Sequence, residues 1–152
     1  MARFFRRGVS AVKWAPVVAG ASPTRAEINA GTNLTSDLAG INGFKISNSP
    51  ISTPDLSTTF TTQMDGPDET DASSITFYDQ DNATTIRTAL AKGSAGYLLL
   101  FPYGDSVGKR VEVWGAKSTG VNDEWSLDAN AARFEVGFAI TRLPAQNGTT
   151  PA

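Results

Sequence analysis

The chain has 152 residues, is 40% hydrophobic and 18% charged, and carries 13 basic against 15 acidic residues for a net charge of −2. That size fits one domain able to bury about 70% of its unfolded surface, and the apolar content excludes wholesale disorder. It has no His and no Cys, which excludes a disulfide framework, thiolate metal sites and His-dependent nucleophilic triads.

Charge is polarised along the chain. Between Lys45 and Arg87 there is no basic residue, yet Asp55, Asp65, Asp68, Glu69, Asp71, Asp79 and Asp81 all lie there, while Arg3, Arg6, Arg7 and Lys13 crowd the N-terminus. Such polarity suits a subunit that meets copies of itself head to tail. Residues 1–10 read as an exposed basic arm, because Lys13 and Pro16 break the apolar stretch that follows well short of a membrane span. Ser10 to Ala19 is then a strand with Val12, Trp14 and Val18 on one parity, and Pro16 puts it at an edge or bulge. Thr24 and Glu27 stand at capping-box spacing and open a short helical turn, which Gly31 stops. Ile41 to Asn48 is the next strand, with Phe44 and Ile46 on one face and Lys45 and Ser47 on the other.

Leu56 to Met64 alternates with period two. Leu56, Thr58, Phe60, Thr62 and Met64 share one parity, and Ser57, Thr59, Thr61 and Gln63 share the other. The two segments predict a long hairpin with Phe60 in the core and one uncharged wet face. Asp65 to Asp71 is expected as a loop, from its acids and its Gly66-Pro67 pair. Ser73 to Asp79 is a strand with Ile75 and Phe77 inward. A helix is predicted over about 82–92, capped by Asp81 or Asn82, burying Ala83, Ile86 and Leu90, and stopped by Gly93. Gly96 to Pro102 is apolar on both parities, as a central strand covered by that helix would be. Lys109 to Ser118 sets Val111 and Val113 opposite Arg110, Glu112 and Trp114. After a turn at Gly120 to Asp123, Ala132 to Leu143 brings Phe134, Val136, Phe138 and Ile140 into one inward row. Glu112 and Glu135 take outward positions. Residues 144–152 form a polar C-terminal tail. The result is a mainly antiparallel β domain over 11–143 with one inserted helix.

No stretch carries enzyme chemistry. Gly104 to Arg110 resembles a phosphate-binding loop, but it is one residue short between its glycines and has Arg110 where Ser or Thr is required. The acids of Asp65 to Asp71 miss calcium-loop spacing. Trp14, Trp114 and Trp125 lack the surrounding basic cluster of a base-stacking platform and read as packing residues. The Asn33, Asn82 and Asn147 sequons are ordinary in a Thr-rich chain. A non-enzymatic domain without cofactor or metal is expected.

Five ordered segments carry a family resemblance: Thr76-Phe-Tyr78, Ile86 to Gly93, Pro102-Tyr-Gly-Asp105, Lys117 to Glu124 and Ala132 to Ala139. With the opening Met1 to Gly8, they make the chain resemble the major tail proteins, or tail tube subunits, of long-tailed bacteriophages. The resemblance implies an antiparallel β-sandwich or half-barrel with a flanking helix, assembled as hexameric rings. Rings stack into a hollow tube in the virion tail, assembled in the host cytoplasm, through which DNA passes without specific binding. Implied partners are further copies of the chain, a tape measure protein and a tail terminator; no membrane span is implied. On this reading the candidate lumen residues are Ser57, Thr59, Thr61, Gln63, Glu112 and Glu135. The candidate inter-subunit residues are Arg3, Arg6 and Arg7 against Asp65, Asp68, Glu69 and Asp71. Two alternatives stay open: a tube subunit of a contractile injection system, and a β-sandwich binding or capsid-decorating module with a clustered aromatic platform.

Overall fold

The computed structural model describes residues 2–81 and 84–152. Strand β1 (Ala11–Ala15) ends where Pro16 removes a ladder donor. Helix α1 (Arg25–Asn29) starts in the expected capping box: the Thr24 side chain accepts from the Glu27 N–H, and the Glu27 carboxylate accepts from the Thr24 N–H. Strand β2 (Thr32–Asn33) and strand β3 (Leu38–Asn42) flank a 3-10 turn at Thr35–Asp37. The chain then leaves the sheet as an extended excursion and returns as β8 (Ser73–Tyr78), which pairs with β3. Helix α2 (Thr85–Ala89) precedes β9 (Ala95–Phe101), the long β10 (Arg110–Glu124), β11 (Arg133–Ile140) and β12 (Ala145–Thr149).

These strands form one eight-stranded antiparallel sheet in the order β2-β1-β9-β10-β11-β8-β3, with β12 also on β10. Strands β11 and β12 run one after the other along the same side of β10, from Arg133 opposite Glu124 to Thr149 opposite Arg110. The sheet is strongly curled. Trp14 on β1 and Phe138 on β11 have ring centroids 5.5 Å apart, although three strand spacings would separate them by about 14 Å in a flat sheet. The residues between Asn33 and Leu38 join one edge strand directly to the other, and Leu34 is fully buried there. The structure is therefore the expected mainly β half-barrel.

The principal core lies inside the curl and gathers Trp14, Phe44, Ile75, Phe77, Leu90, Leu98, Trp114, Phe134, Val136 and Phe138. A second cluster of Val18, Ile28, Leu99, Phe101, Val111 and Val113 lies on the other face beneath α1. This explains why Tyr97 to Phe101 is apolar on both parities: each face of β9 has its own cover. The inward rows Ile75/Phe77 and Phe134/Val136/Phe138 are buried as expected.

Several expectations need correction. Leu56 to Met64 is a strand only over β6 (Thr62–Met64), and Leu56, Phe60 and Met64 are all exposed. Local hydrogen bonds win there: the Asp55 carboxylate accepts the Ser57 N–H, and Thr58 Oγ1 accepts the Phe60 N–H, bending the backbone into turns. The hairpin itself exists as two nested ladders, β4 (Ile46–Asn48) with β7 (Asp68–Thr70), and β5 (Ile51–Thr53) with β6. Asp68 and Glu69 thus sit in a strand, not a loop. The strand predicted over Ile41 to Asn48 breaks at Gly43 and Phe44, both at positive φ, which turns the chain out of the sheet while burying Phe44.

Helix α2 is shorter than 82–92, and its N-cap Thr84 makes no side-chain cap bond; Asn82 and Ala83 lie outside the described residues. Thr84, Thr85 and Thr88 are weak helix formers, and one short turn holds only where Leu90 is buried. Gly93 has the positive φ expected of it, at +90°, but it does not stop the helix: α2 ends at Ala89 with Leu90 as its C-cap, and Gly93 belongs to the turn that follows. Gly120 to Asp123 lies within β10, past a bulge at Ser118/Gly120, and the turn comes after Glu124. Residues 144–152 are not a free tail: β12 pairs with β10, and Thr150 is buried. Arg25 donates to the Pro151 carbonyl at 2.6 Å. Gly148 is required because a Cβ there would sit 2.4 Å from the Ala21 carbonyl oxygen. No described helix is long and apolar enough to cross a membrane.

Candidate functional site

The candidate functional surface is built from four strands of the sheet, β3, β8, β11 and the outer half of β10. Register fixes which side chains share a face. Gly40, Thr76, Glu135 and Asn122 stand opposite one another across the four strands, as do Asn42, Ser74, Gly137 and Gly120. Intervening residues such as Ile41, Ile75, Val136 and Val121 point into the core. One face is therefore hydroxyls, amides and glycines, with no element of the chain covering it among the described residues. Its charged members are Lys117, Glu124, Arg133 and Glu135, two of each sign. Arg133 lies over the Tyr78 ring, 5.5 Å from its centroid.

Both lateral edges of this four-strand unit are open among the described residues. Strand β3 has a partner only on its β8 side. On the far side of β10, the last bonds are Gly93 N–H to the Ser118 carbonyl and Ser118 N–H to the Ser94 carbonyl. Beyond Ser118 that edge has no ladder. Each edge has one bulge, at Leu38/Gly40 in β3 and at Ser118/Gly120 where the open part of β10 begins, but neither carries the Lys or Pro that ordinarily discourages strand addition along its exposed length.

The sequence-derived candidates fall in three places. Glu135 belongs to the polar face. Glu112 does not: it shares the core-side parity of Trp114 and lies 3.8 Å from Arg110. Ser57, Thr59, Thr61 and Gln63 are exposed on the outlying hairpin, away from any broad sheet. Asp65, Asp68, Glu69 and Asp71 lie on the return limb of that hairpin. Asp68 accepts from Asn48 at 2.7 Å and Asp71 from Ser47 at 3.4 Å, and none of the four has an ion-pair partner among the described residues. Arg3, Arg6 and Arg7 are exposed on the N-terminal arm and have no ion-pair partner among the described residues. Asp68 and Glu69 also line an open groove of about 570 Å³ with Ile46, Ile140, Arg142 and Leu143.

Sequence reasoning missed Ser74, Thr76, Thr119 and Asn122 as members of one face. Only the register of β10 against β11 reveals it, and the bulge at Ser118 shifts that register by a residue.

The rest of the molecule fixes this face. At one end Arg87 pairs with Asp79 and Asp123 and stacks on Phe134, 4.3 Å from its centroid. Its hydrogen bond to Asp123 is the main reason its pKa is raised above the ordinary arginine value. Away from this face, where the turn after β9 meets β1 and α1, Asp105 accepts from Lys13 at 2.8 Å and from Arg25 at 3.0 Å. Burial pushes the Asp105 pKa up, but the hydrogen bonds and charges of Lys13 and Arg25 outweigh it and hold the carboxyl below its usual value. Trp14 and Trp114 are buried and Trp125 is exposed alone, so the tryptophans do not form an aromatic platform.

No curated protein sequence matches the chain. Among solved structures it is similar to the tail of an empty gene transfer agent particle refined with C6 symmetry, at 12% identity over 95% of this chain and 99% of that one, TM-score 0.58. It is similar to a chain of the native gene transfer agent virion at 13% identity over 77% and 88%, TM-score 0.52. A third likeness is to a chain of the sixfold-symmetrised anti-feeding prophage baseplate, at 6% identity over 93% and 95%, TM-score 0.58. These likenesses establish a shared fold. The family described as phage tail tube protein matches residues 1–152, and the chain belongs to that family.

Proposed function

We propose that six copies of this tail tube protein close into a ring by pairing β3 of one subunit with the outer half of β10 in the next, and that the polar face of these strands lines the channel. The observation that carries the reading is the four-strand unit with two open edges and one uncovered hydrophilic face. Its strands alternate in direction, so an even number brings β3 antiparallel to the neighbour's β10. The same ladder then continues around the ring. Closure removes edges that a lone subunit leaves exposed, and a barrel of many strands encloses an aqueous channel.

The wall suits the passage of DNA. Thr76, Ser74 and Asn122 offer no fixed charge, Glu135 offsets Arg133, and Lys117 and Glu124 stand toward opposite ends of the outer half of β10, so phosphates gain little counterion-release free energy by stopping there. The role is structural, with no chemistry and no cofactor. Stacked rings form the tube in the virion tail, assembled in the host cytoplasm. A tape measure protein inside, a terminator at the end and transiting DNA are the proposed partners. The outlying hairpin, with Ser57, Thr59, Thr61 and Gln63 at and beside its tip, is offered to a neighbouring copy rather than to the channel.

The chain has no cysteine, so a single introduced thiol tests the assignment. Thr76→Cys should react with both small and polymer-sized maleimides in dissociated subunits, and only with small ones in assembled tubes. Equal reaction of Thr76→Cys with the large reagent in both states would contradict a channel position.

A further inference from the structure

Strand β10 is 15 residues long, which at about 3.4 Å per residue is about 50 Å of nearly continuous strand. Its two ends carry complementary surfaces. Past Glu124, the loop to β11 exposes Trp125 at 91% and Leu127 at 107%. The flanking Glu124 and Asp128 carboxylates have no partner among the described residues. Before Arg110, the turn 102–109 exposes Tyr103 and Val107, and the N-terminal arm lies on it. Ser10 Oγ donates to the Pro102 carbonyl at 2.7 Å, and Phe4 packs on Tyr103 with centroids 5.5 Å apart. That arm adds the exposed Phe5 with Arg3, Arg6 and Arg7. One end is thus apolar and acidic, the other apolar and basic, and the basic end is anchored by Asp105 to Lys13 and Arg25.

We infer that the β10–β11 loop of a subunit in one ring docks on the arm and the 102–109 turn of a subunit in the next, Trp125 and Leu127 against Phe5, Tyr103 and Val107, with Glu124 and Asp128 facing Arg6 and Arg7. The inference rests on the tube reading and names its ring-to-ring contact. A surface at one end that fits a different surface at the other is a heterologous interface, which repeats without closing and so builds an open stack. Opposite charges set the polarity of the stack and its register more than its strength. The hairpin acids Asp65 to Asp71 are the rival partners for these arginines. They are less suited, because Asp68 and Asp71 already hydrogen-bond within the hairpin and the arm's aromatic residues match the loop's exposed Trp125 and Leu127.

Three experiments on the full chain decide it. In Trp125→Ser/Leu127→Ser, single rings are expected with the stacking concentration raised at least tenfold, while the thermal midpoint of the subunit is unchanged. Phe5→Cys combined with Leu127→Cys should give, on oxidation, covalent ladders that neither single variant gives. In charge reversal, Glu124→Lys/Asp128→Lys should abolish stacking and Arg6→Glu/Arg7→Glu should restore it. Stacking at the wild-type concentration by the Ser variant overturns the inference. So does a ladder between Phe5→Cys and Asp68→Cys in place of the Leu127→Cys ladder. If the unmodified chain forms no rings at all, the ring reading itself falls and this contact with it; rings that form but stack by another surface sink this contact alone.

Discussion

Asp105 is the residue on which the basic end of the molecule depends. Its side chain is 20% exposed and holds both Lys13 and Arg25, and Arg25 in turn holds the Pro151 carbonyl. Replacing it as Asp105→Asn leaves two part-buried cations without their anion and should cost about 1–3 kcal/mol at neutral pH. Because the folded pKa lies below the ordinary 3.8, the contribution is complete above that value and is lost as pH falls through the lowered folded pKa. Denaturant titrations of the two proteins should therefore converge in strongly acidic solution; a gap that persists there would refute the assignment. Phe60 makes the opposite case. The alternation from Leu56 to Met64 predicts a buried ring, whose loss would cost about 3–5 kcal/mol. At 73% exposure, Phe60→Ala should instead leave subunit stability within about 0.5 kcal/mol, which a urea midpoint checks.

At the scale of elements, the sequence is most legible where one strand face is buried. The rows of β8 and β11 and the capping box of α1 could be read directly, because each depends on a local pattern. It is least legible where partners lie far apart in the chain. Residues 144–152 look like a tail because Gln146, Asn147 and Thr149 are polar, but β12 is held by the backbone of β10, and Pro151 and Ala152 beyond it by Arg25, 127 residues from Ala152. Truncation after Leu143 should cost on the order of 2–4 kcal/mol, from ladder bonds worth about 1 kcal/mol each; an unchanged melting temperature would contradict β12. The hairpin from Ile46 to Thr70 shows the converse limit. Period two is present, yet apolar residues recur only at every fourth position, Leu56, Phe60 and Met64, too sparsely to bury a face. Local Asp and Thr turns then decide the conformation. The polar face was legible only at Glu135, because a bulge resets register in β10 and no periodicity in one strand reports its neighbour's alignment.

At the scale of the whole molecule, the curled sheet separates two tasks. The inside of the curl is core, and the outer face of β3, β8, β11 and β10 is left polar and open at both edges. If that face is the channel wall, its neutrality matters for transit. Thr76→Lys/Asn122→Lys places two added cations per subunit on the wall, and virions carrying it should assemble but eject DNA more slowly, most of all at low salt where screening is weakest. Ejection at the wild-type rate, with both lysines present in the tube, would refute the electrostatic argument. The same pair at Thr59 and Thr61, on the outlying hairpin, should leave ejection unchanged.

The central claim is that this chain closes sixfold through β3 and β10 with its polar face inward. Helical reconstruction of tubes grown from the purified protein, by electron cryomicroscopy, tests it most directly. The expected map shows six subunits per ring, a continuous antiparallel inner barrel joining β3 of each subunit to β10 of the next, and Thr76, Asn122 and Glu135 on the channel wall. Protein that remains monomeric, or tubes whose channel is lined by other strands with β3 and β10 unjoined, would contradict it.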